Sequence, residues 1–461
     1  MSQTAFSTLN LHSDLLSNLD SLGYEAMTPI QAQSLPLIID GKDVIAQGKT
    51  GSGKTAAFGL GLLNNLNVKR FRVQTLVLCP TRELADQVAK EIRRLARAIH
   101  NIKVLTLCGG MPFGPQIGSL EHGAHIIVGT PGRIEEHVHK GFLRLDELNT
   151  LVLDEADRML EMGFQDSLDV IIDAAPSDRQ TLLFSATFPD QIASIAKRIM
   201  KNPVQVKVES SHDNSSISQH FYKVSGNEAR LDAVRLLLNQ HRPESCVIFC
   251  NTKREAQEMS DDLEDFGFSS IALHGDLEQR ERDRTLVLFS NKSKSILVAT
   301  DVAARGLDID NLDMVINYHL ARDTEVHVHR IGRTGRAGSK GIACSLFSDK
   351  EHYKVKLLED YLDREIEGEP LPSGDLLEQP TFRPEMTTLM IDGGKKQKVR
   401  PGDILGALTG DNGIAGAAVG KINVFDHCAY VAVKRDVARE ALQKLEKGRI
   451  KGRNFRSRQL R

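Results

Sequence analysis

Residues 46–55 read AQGKTGSGKT and follow directly on the apolar pair Val44-Ile45. Gly48, Gly53, Lys54 and Thr55 have the spacing G-x-x-x-x-G-K-T, with Gly51 inside the same loop. Small residues let backbone N–H groups close around a polyphosphate. A lysine reaches its outer phosphates, and a threonine hydroxyl can hold Mg²⁺. A helix beginning at this point adds its positive dipole end. The competing reading is a glycine-rich turn that holds nothing. The motif alone therefore points to a nucleoside triphosphate and is silent on its use.

The same unit, a short apolar run ending in a polar or glycine-rich cluster, recurs along the chain. In the first part DVIA leads into QGKTGSGKT, TLVLC into PTREL, HIIVG into TPGR, TLVL into DEAD and TLLF into SAT. Helix-like segments such as Glu83 to Ile99 lie between them. Continuous apolar strands alternating with helices predict a parallel sheet covered on both faces. Ligands of such sheets gather beyond the carboxyl ends of the strands, so every polar cluster belongs on one edge. After the Ser-rich break Glu209 to Ser218 the pattern restarts with CVIFC, SIAL, ILVA, MVINY and IACSLF. A second break contains Pro370, Pro372, Pro380 and Pro384 and reads as a stiff linker. The last stretch is a small α+β unit, with TTLMID and AYVAVK as strands, RPGDILGALT and AREALQKLE as helices, and a final strand within KGRNFRSRQL. The expected fold is α/β: two tandem parallel-sheet domains, 1–209 and 218–367, then a small α+β domain over 386–461.

The chain has 461 residues, 41% hydrophobic and 26% charged. No window of 18 apolar residues suggests a membrane span, and MSQTAFSTLN lacks the pattern of a secretory signal. The six cysteines are scattered, as suits reduced thiols in the cytoplasm. The net charge of −2 conceals an asymmetry. Residues 386–461 carry 16 Lys+Arg against 7 Asp+Glu, so a positive tail is joined to a negative body. That arrangement predicts a polyanion partner for the tail.

Asp154-Glu155 follows the apolar run Leu151 to Leu153. An Asp at a strand end partners the Mg²⁺ of a phosphate loop, and a neighbouring Glu can orient or deprotonate the attacking water. Asp154-Glu155-Ala156-Asp157 is also the tetrapeptide that names the DEAD-box RNA helicases, and the chain resembles that family over about residues 6 to 350. Thr28-Pro29-Ile30-Gln31 after Gly23-Tyr24 resembles its adenine-reading segment. PTRELA (80–85), Gly109-Gly110 and TPGR (130–133) resemble its RNA-backbone motifs, and Ser185-Ala186-Thr187 its coupling motif. Asn251-Thr252, Gln279 with Arg282, TDVAARGLD (300–308) and HRIGRTGR (329–336) complete the set. Met27 and Gly48 depart mildly from the family pattern.

The resemblance implies ATP and Mg²⁺ as cofactors and RNA as partner. Gln31 can bond adenine's N6 and N7 together, Tyr24 can stack on the base, and Asp308 completes the nucleotide set. Thr55 and Asp154 are the expected metal residues, holding the Mg²⁺ through water. Lys54, Glu155, Arg333 and Arg336 are the expected catalytic residues, the arginine pair suiting charge that develops on a transferred phosphoryl group. Thr81, Arg82, Gly110, Thr130, Gly132, Arg133, Thr252 and Thr300 are expected to grip RNA phosphate and sugar, which carries no sequence information. Ser185, Thr187 and His329 are expected to couple hydrolysis to strand separation. A zinc site at His274, His327 and His329 is disfavoured because HVHR fits the helicase motif.

The tail's βαββαβ-like order is similar to an RNA-recognition fold, without that fold's aromatic signature. Its strand 427–433 has one aromatic, Tyr430, so base stacking on the sheet is doubtful. Lys395, Lys396, Lys398 and Arg400 supply charge instead. Residues 391–410, IDGGKKQKVRPGDILGALTG, resemble the DbpA subfamily. This implies a hairpin of 23S ribosomal RNA and pre-50S ribosomal particles as partners, and a role in large-subunit assembly. A cytoplasmic monomer is expected, with the tail raising the local concentration of RNA through its linker. The rival readings are a DNA-translocating helicase and an ATP-gated RNA clamp.

Overall fold

The computed structural model describes residues 4–48, 51–208, 217–304, 309, 312–322, 324–335, 340–410 and 413–460. These form two compact units, divided between residues 208 and 217.

In the first unit seven strands form one parallel sheet. They are β1 (Val44–Gln47), β2 (Thr75–Leu78), β3 (Val104–Leu107), β4 (Ile126–Gly129), β5 (Thr150–Asp154), β6 (Gln180–Ser185) and β7 (Val204–Lys207), in the order β3-β4-β2-β5-β6-β1-β7. Because all run the same way, Gly48, Pro80, Thr130, Glu155 and Ala186 all follow carboxyl ends on one edge of the sheet. Helices cover both faces, with one core cluster around Phe58 and Phe184 and another around Leu151 and Leu183.

The second unit holds a six-stranded parallel sheet of order β10-β11-β9-β12-β13-β8. Its strands are β8 (Ile217–Lys223), β9 (Cys246–Cys250), β10 (Ser270–Leu273), β11 (Ile296–Thr300), β12 (Met314–Asn317) and β13 (Gly341–Phe347). Asn251, His274, Asp301 and Tyr318 follow the carboxyl ends here. Cys246 and Cys250 are fully buried on β9, where burial pushes both thiols well up.

The sequence pattern names no run for β3, β7, β8 or the tail strand Val419–Val424, and all four are sheet edges. Central strands such as β2 and β4 are buried at every residue, whereas β7 and β8 each include exposed and half-buried positions. A continuous apolar run marks only strands covered on both faces.

The tail forms an antiparallel sheet, β15-β16-β14-β17, from β14 (Met386–Ile391), β15 (Val419–Val424), β16 (Ala429–Lys434) and β17 (Ser457–Gln459). Helices α16 (Pro401–Thr409) and α17 (Ala438–Lys447) cover one face, closing a core of Leu389, Ile391, Val431, Val433, Ile404 and Leu445.

The other face of this sheet corrects the tethered-tail expectation. Met390, Tyr430 and Leu460 pack on Val287 and Leu288 of α12 (Gln279–Ser290) in the second parallel-sheet domain. Beside them the Asn291 amide donates to Thr388 Oγ1 at 3.1 Å, and the Ser293 and Thr388 hydroxyls bond at 2.5 Å. The proline-containing segment lies along the same domain. Leu371 and Phe382 pack on its core, Asn239 donates to Leu376 O at 2.8 Å, and Thr381 donates to Gly267 O at 3.0 Å. The tail is therefore held in place, because its sheet face is apolar where it meets α12. Among the described residues no helix is long and apolar enough to cross a membrane.

Candidate functional site

The phosphate loop runs from β1 into α3 (Lys54–Asn64). Gly51 and Gly53 both have positive φ, 79° and 93°. At Gly53 glycine is required twice over, since a Cβ would lie 2.6 Å from Gln31 Nε2 and 2.9 Å from Thr28 Oγ1. Those two side chains bind the Thr28–Gln31 segment to the loop. Gln31 Nε2 donates to Gly53 O at 3.1 Å, Gln31 Oε1 accepts from Thr28 N at 2.9 Å, and Thr28 Oγ1 donates to Ser52 O at 2.8 Å. Gln31 is thus a strut of the loop in addition to an adenine reader by expectation. Tyr24 is half-buried, donates to Glu91 at 2.6 Å and carries Arg94 over its ring at 5.6 Å. Burial, then Glu91, pushes its phenol up to about 12.

Lys54 is buried and donates to Gly48 O at 2.9 Å. Thr55 follows it in the first turn of α3. Asp154, the last residue of β5, is buried, and burial raises its carboxyl to about 7, with Glu155 adding to the rise and Lys54 opposing it. Glu155 sits in the left-handed region at φ 53° and is buried. Its Oε2 makes no hydrogen bond, and Arg158 Nε lies 3.5 Å away as an ion pair. A buried carboxylate oxygen that makes no hydrogen bond and has only this longer ion pair, at a sheet edge beside a phosphate loop, is suited to hold a water.

Asp157 was not singled out from sequence, yet it is the hub of this edge. Its Oδ2 accepts from Thr187 N at 3.0 Å and Thr187 Oγ1 at 2.8 Å, and its N–H donates to Ser185 Oγ at 3.4 Å. Burial raises its pKa, but these bonds outweigh it and the net shift is down. Gly48 N donates to Ser185 O at 3.0 Å. The phosphate loop, the DEAD turn and the Ser185–Thr187 segment are therefore one hydrogen-bonded assembly.

On the same edge Thr81 caps α4 (Arg82–Leu95), its Oγ1 accepting from Leu84 N at 3.3 Å. Gly110 has φ 72° and is exposed. Gly132 is half-buried, and a Cβ there would meet nothing within 4 Å. Thr130 Oγ1 accepts from Gly109 N at 3.4 Å. Arg133 differs from expectation. Its guanidinium donates to Met111 O at 2.9 Å and Gln116 Oε1 at 3.0 Å and pairs with Glu136 at 3.1 Å. It braces the Gly109–Met111 loop rather than pointing out as a free donor.

In the second unit Thr252 caps α11 (Lys253–Asp265), accepting from Glu255 N at 3.1 Å, and Thr300 ends β11, nearly buried. His329 and Arg333 lie on and just after α14 (Thr324–Ile331), half-buried and buried respectively. Asp308 and Arg336 lie outside the described residues. Arg330, between them, escaped the sequence reading. It is buried and grips Asp301 with two bonds of 2.7 Å while donating to His319 O at 2.9 Å. His274 and His327 face separate glutamines, Gln257 and Gln219.

Three family models match in order: DEAD/DEAH box helicase over residues 28–195, helicase conserved C-terminal domain over 229–338, and DbpA RNA binding domain over 388–459. The ATP-dependent RNA helicase DbpA of Escherichia coli is 55% identical across 99% of this chain and 100% of that one. The chain belongs to the DEAD-box ATP-dependent RNA helicases, in the DbpA group. The Bacillus subtilis protein of the same name is 36% identical, covering 98% of both chains. Saccharomyces cerevisiae Dbp5 bound to RNA and ADP BeF3 superposes with a TM-score of 0.71 at 31% identity, over 81% of this chain and 99% of that one.

The helicase presents its tail cations on a rigid loop. Lys395 and Lys396 donate their N–H groups to Phe425 O (2.8 Å) and Asp426 O (2.9 Å). A Cβ at Gly394 would lie 2.2 Å from Phe425 O, so only glycine fits there. Lys395, Lys396, Lys398 and Arg400 are all exposed.

Proposed function

We propose that this RNA helicase is directed by its tail to a hairpin of 23S ribosomal RNA, and that it acts on pre-50S particles in large-subunit assembly in the cytoplasm. The observation that carries the reading is the 395–400 loop. Four exposed cations are fixed by backbone bonds on a domain that matches the DbpA RNA-binding family, in a chain that spans the whole length of its E. coli relative.

At the ATP site, Thr55 and Asp154 would hold Mg²⁺. Burial leaves the Asp154 carboxyl short of counter-charge, and a hard cation arriving with the triphosphate would supply it and draw the group into its ionised form. The bound ion supplies charge neutralisation at the phosphates. Lys54 leaves Gly48 O to meet the phosphates, Glu155 holds the attacking water through Oε2, and Arg333 with Arg336 supports the developing charge. Gln31, Tyr24, Gly51, Gly53 and Asp308 make up the rest of the nucleotide set. Thr81, Arg82, Gly110, Thr130, Gly132, Thr252 and Thr300 take the RNA backbone, with Arg133 positioning the Gly110 loop. Ser185 and Thr187, joined through Asp157, and His329 take the role of coupling hydrolysis to strand separation.

The test is ATPase activity of the full chain with a 23S fragment carrying the hairpin, against the same fragment with a scrambled hairpin. Activation by the first at concentrations where the second does little supports the targeting. Equal activation refutes it.

A further inference from the structure

The seam between the tail sheet and α12 continues into two arginines with no assigned role. Leu288 is buried against Met390, Tyr430 and Leu460. Arg284 and Arg280 precede it by four and eight residues, and so lie on the same helical stripe. At 1.5 Å rise per residue they stand about 6 Å and about 12 Å along the axis from the contact. The stripe that docks the tail thus carries both guanidinium groups along the rim of the tail sheet. The Tyr430 phenol feels both arginines: burial and Cys428 raise its pKa, and Arg280 and Arg284 oppose that rise.

Both arginines are exposed and make no ion pair among the described residues. The carboxylates nearest in sequence are engaged elsewhere. Glu281 accepts from Glu278 N at 3.3 Å to cap the helix, and Asp283 accepts from Gln279 at 2.9 Å. The other end of the rim is Phe425, which packs edge-on to Tyr430 at 5.6 Å and whose carbonyl holds the Lys395 N–H. Exposed cations thus flank the seam at both ends, Lys395 and Lys396 beside Phe425 and Arg284 and Arg280 beyond the buried Tyr430, with the exposed Asp426 among them.

We propose that Arg280 and Arg284 extend the RNA-binding surface of the tail onto the second helicase domain, holding phosphates of the strand that flanks the tail-bound element. The pair lies on the rigid face that joins the two domains, so it fixes the direction in which that strand leaves the tail. Phosphodiester is the ligand chemistry: two unpaired guanidinium groups one helical turn apart match successive phosphates and carry no base specificity. The inference rests on the tail being an RNA-binding module.

The experiment compares the full-length protein with the R280A/R284A double variant on two RNAs, the 23S hairpin alone and the hairpin with a single-stranded extension, across a salt series. Each phosphate contact on a single strand contributes about 0.7 to the slope of log K against log salt. The variant should bind the extended RNA about tenfold more weakly at low salt, with a slope shallower by about 1.4, and bind the bare hairpin as the unaltered protein does. R280K/R284K should retain most of the slope. Equal loss on both RNAs would place the arginines in the hairpin site or in the fold and overturn the proposal. Unchanged binding of the extended RNA would also overturn it, leaving a solvated or protein-facing surface. Failure of the tail reading itself shows separately, as an unaltered protein that does not distinguish the hairpin from its scrambled form.

Discussion

Replacing Gln31 by Ala should damage the first domain before any nucleotide arrives. Gln31 is 2% exposed, and both ends of its amide are bonded within the protein, to Gly53 O at 3.1 Å and Thr28 N at 2.9 Å. Truncation removes both bonds, each contributing about 1 kcal/mol net. The groups left behind are only partly buried, so water recovers some of that loss. Removing one buried methylene adds about 0.8 kcal/mol. The sum is roughly 2–3 kcal/mol. For a domain of this size, 1 kcal/mol shifts Tm by about 2–4 °C, so the first transition should fall by about 5–10 °C without ligand. Calorimetry of the nucleotide-free full chain reads the shift. Hydrogen exchange should rise in residues 28–40 and 51–60 and stay unchanged in the second domain. In the same variant the preference for ATP over GTP should erode, since the paired contact to adenine's edge is lost. An unaltered nucleotide-free transition alongside lost selectivity would refute the strut and leave Gln31 as an adenine reader only.

Glu155→Gln should retain ATP and RNA binding while hydrolysis falls by about 10²–10⁴, the usual worth of a positioned base; single-turnover ATPase measures it, and near-normal turnover excludes Glu155 from the water-holding role. Thr187→Ala removes one hydroxyl bond to the charged Asp157, about 1.5–3 kcal/mol, so duplex unwinding should drop while RNA-stimulated ATP hydrolysis persists; a parallel fall in both would mean that the hub serves hydrolysis itself. Arg333→Ala should slow RNA-stimulated turnover by about 10³–10⁵ with ATP affinity much less affected, and a loss below about tenfold would remove it from the phosphates. The second domain should respond to pH through His319, whose ring bonds Glu255 at 2.6 Å. Burial lowers its pKa, but Glu255 and Glu351 outweigh burial and the net shift is up. Its contribution is therefore complete below about pH 6.5, the ordinary histidine value, and lost as pH rises through the raised one. Thermal unfolding of the second domain should weaken over that window and flatten in His319→Gln; an unchanged profile in the variant would show that the pair does not titrate there.

The central strands, the phosphate loop and the order of the motifs were legible in the sequence because each is a local pattern. A strand buried on both faces must be apolar at successive residues, and a loop that wraps phosphates must be small and glycine-rich whatever surrounds it. The edge strands β7 and β8 escaped because their exposed residues are polar and break up the apolar run; β3, reading VLTL, is short and only partly buried. Side-chain partners were not legible, since they join residues remote in the chain. Asp157 meets Thr187 across 30 positions, Arg330 meets Asp301 across 29, and Asn291 meets Thr388 across 97. The same limit hid the docking of the tail. Met390 and Tyr430 read simply as apolar residues of a small sheet, and proline spacing reads as a tether. Whether a sheet face holds RNA bases, meets water or packs on α12 depends on the surface that comes opposite, and the tertiary structure alone supplies that surface.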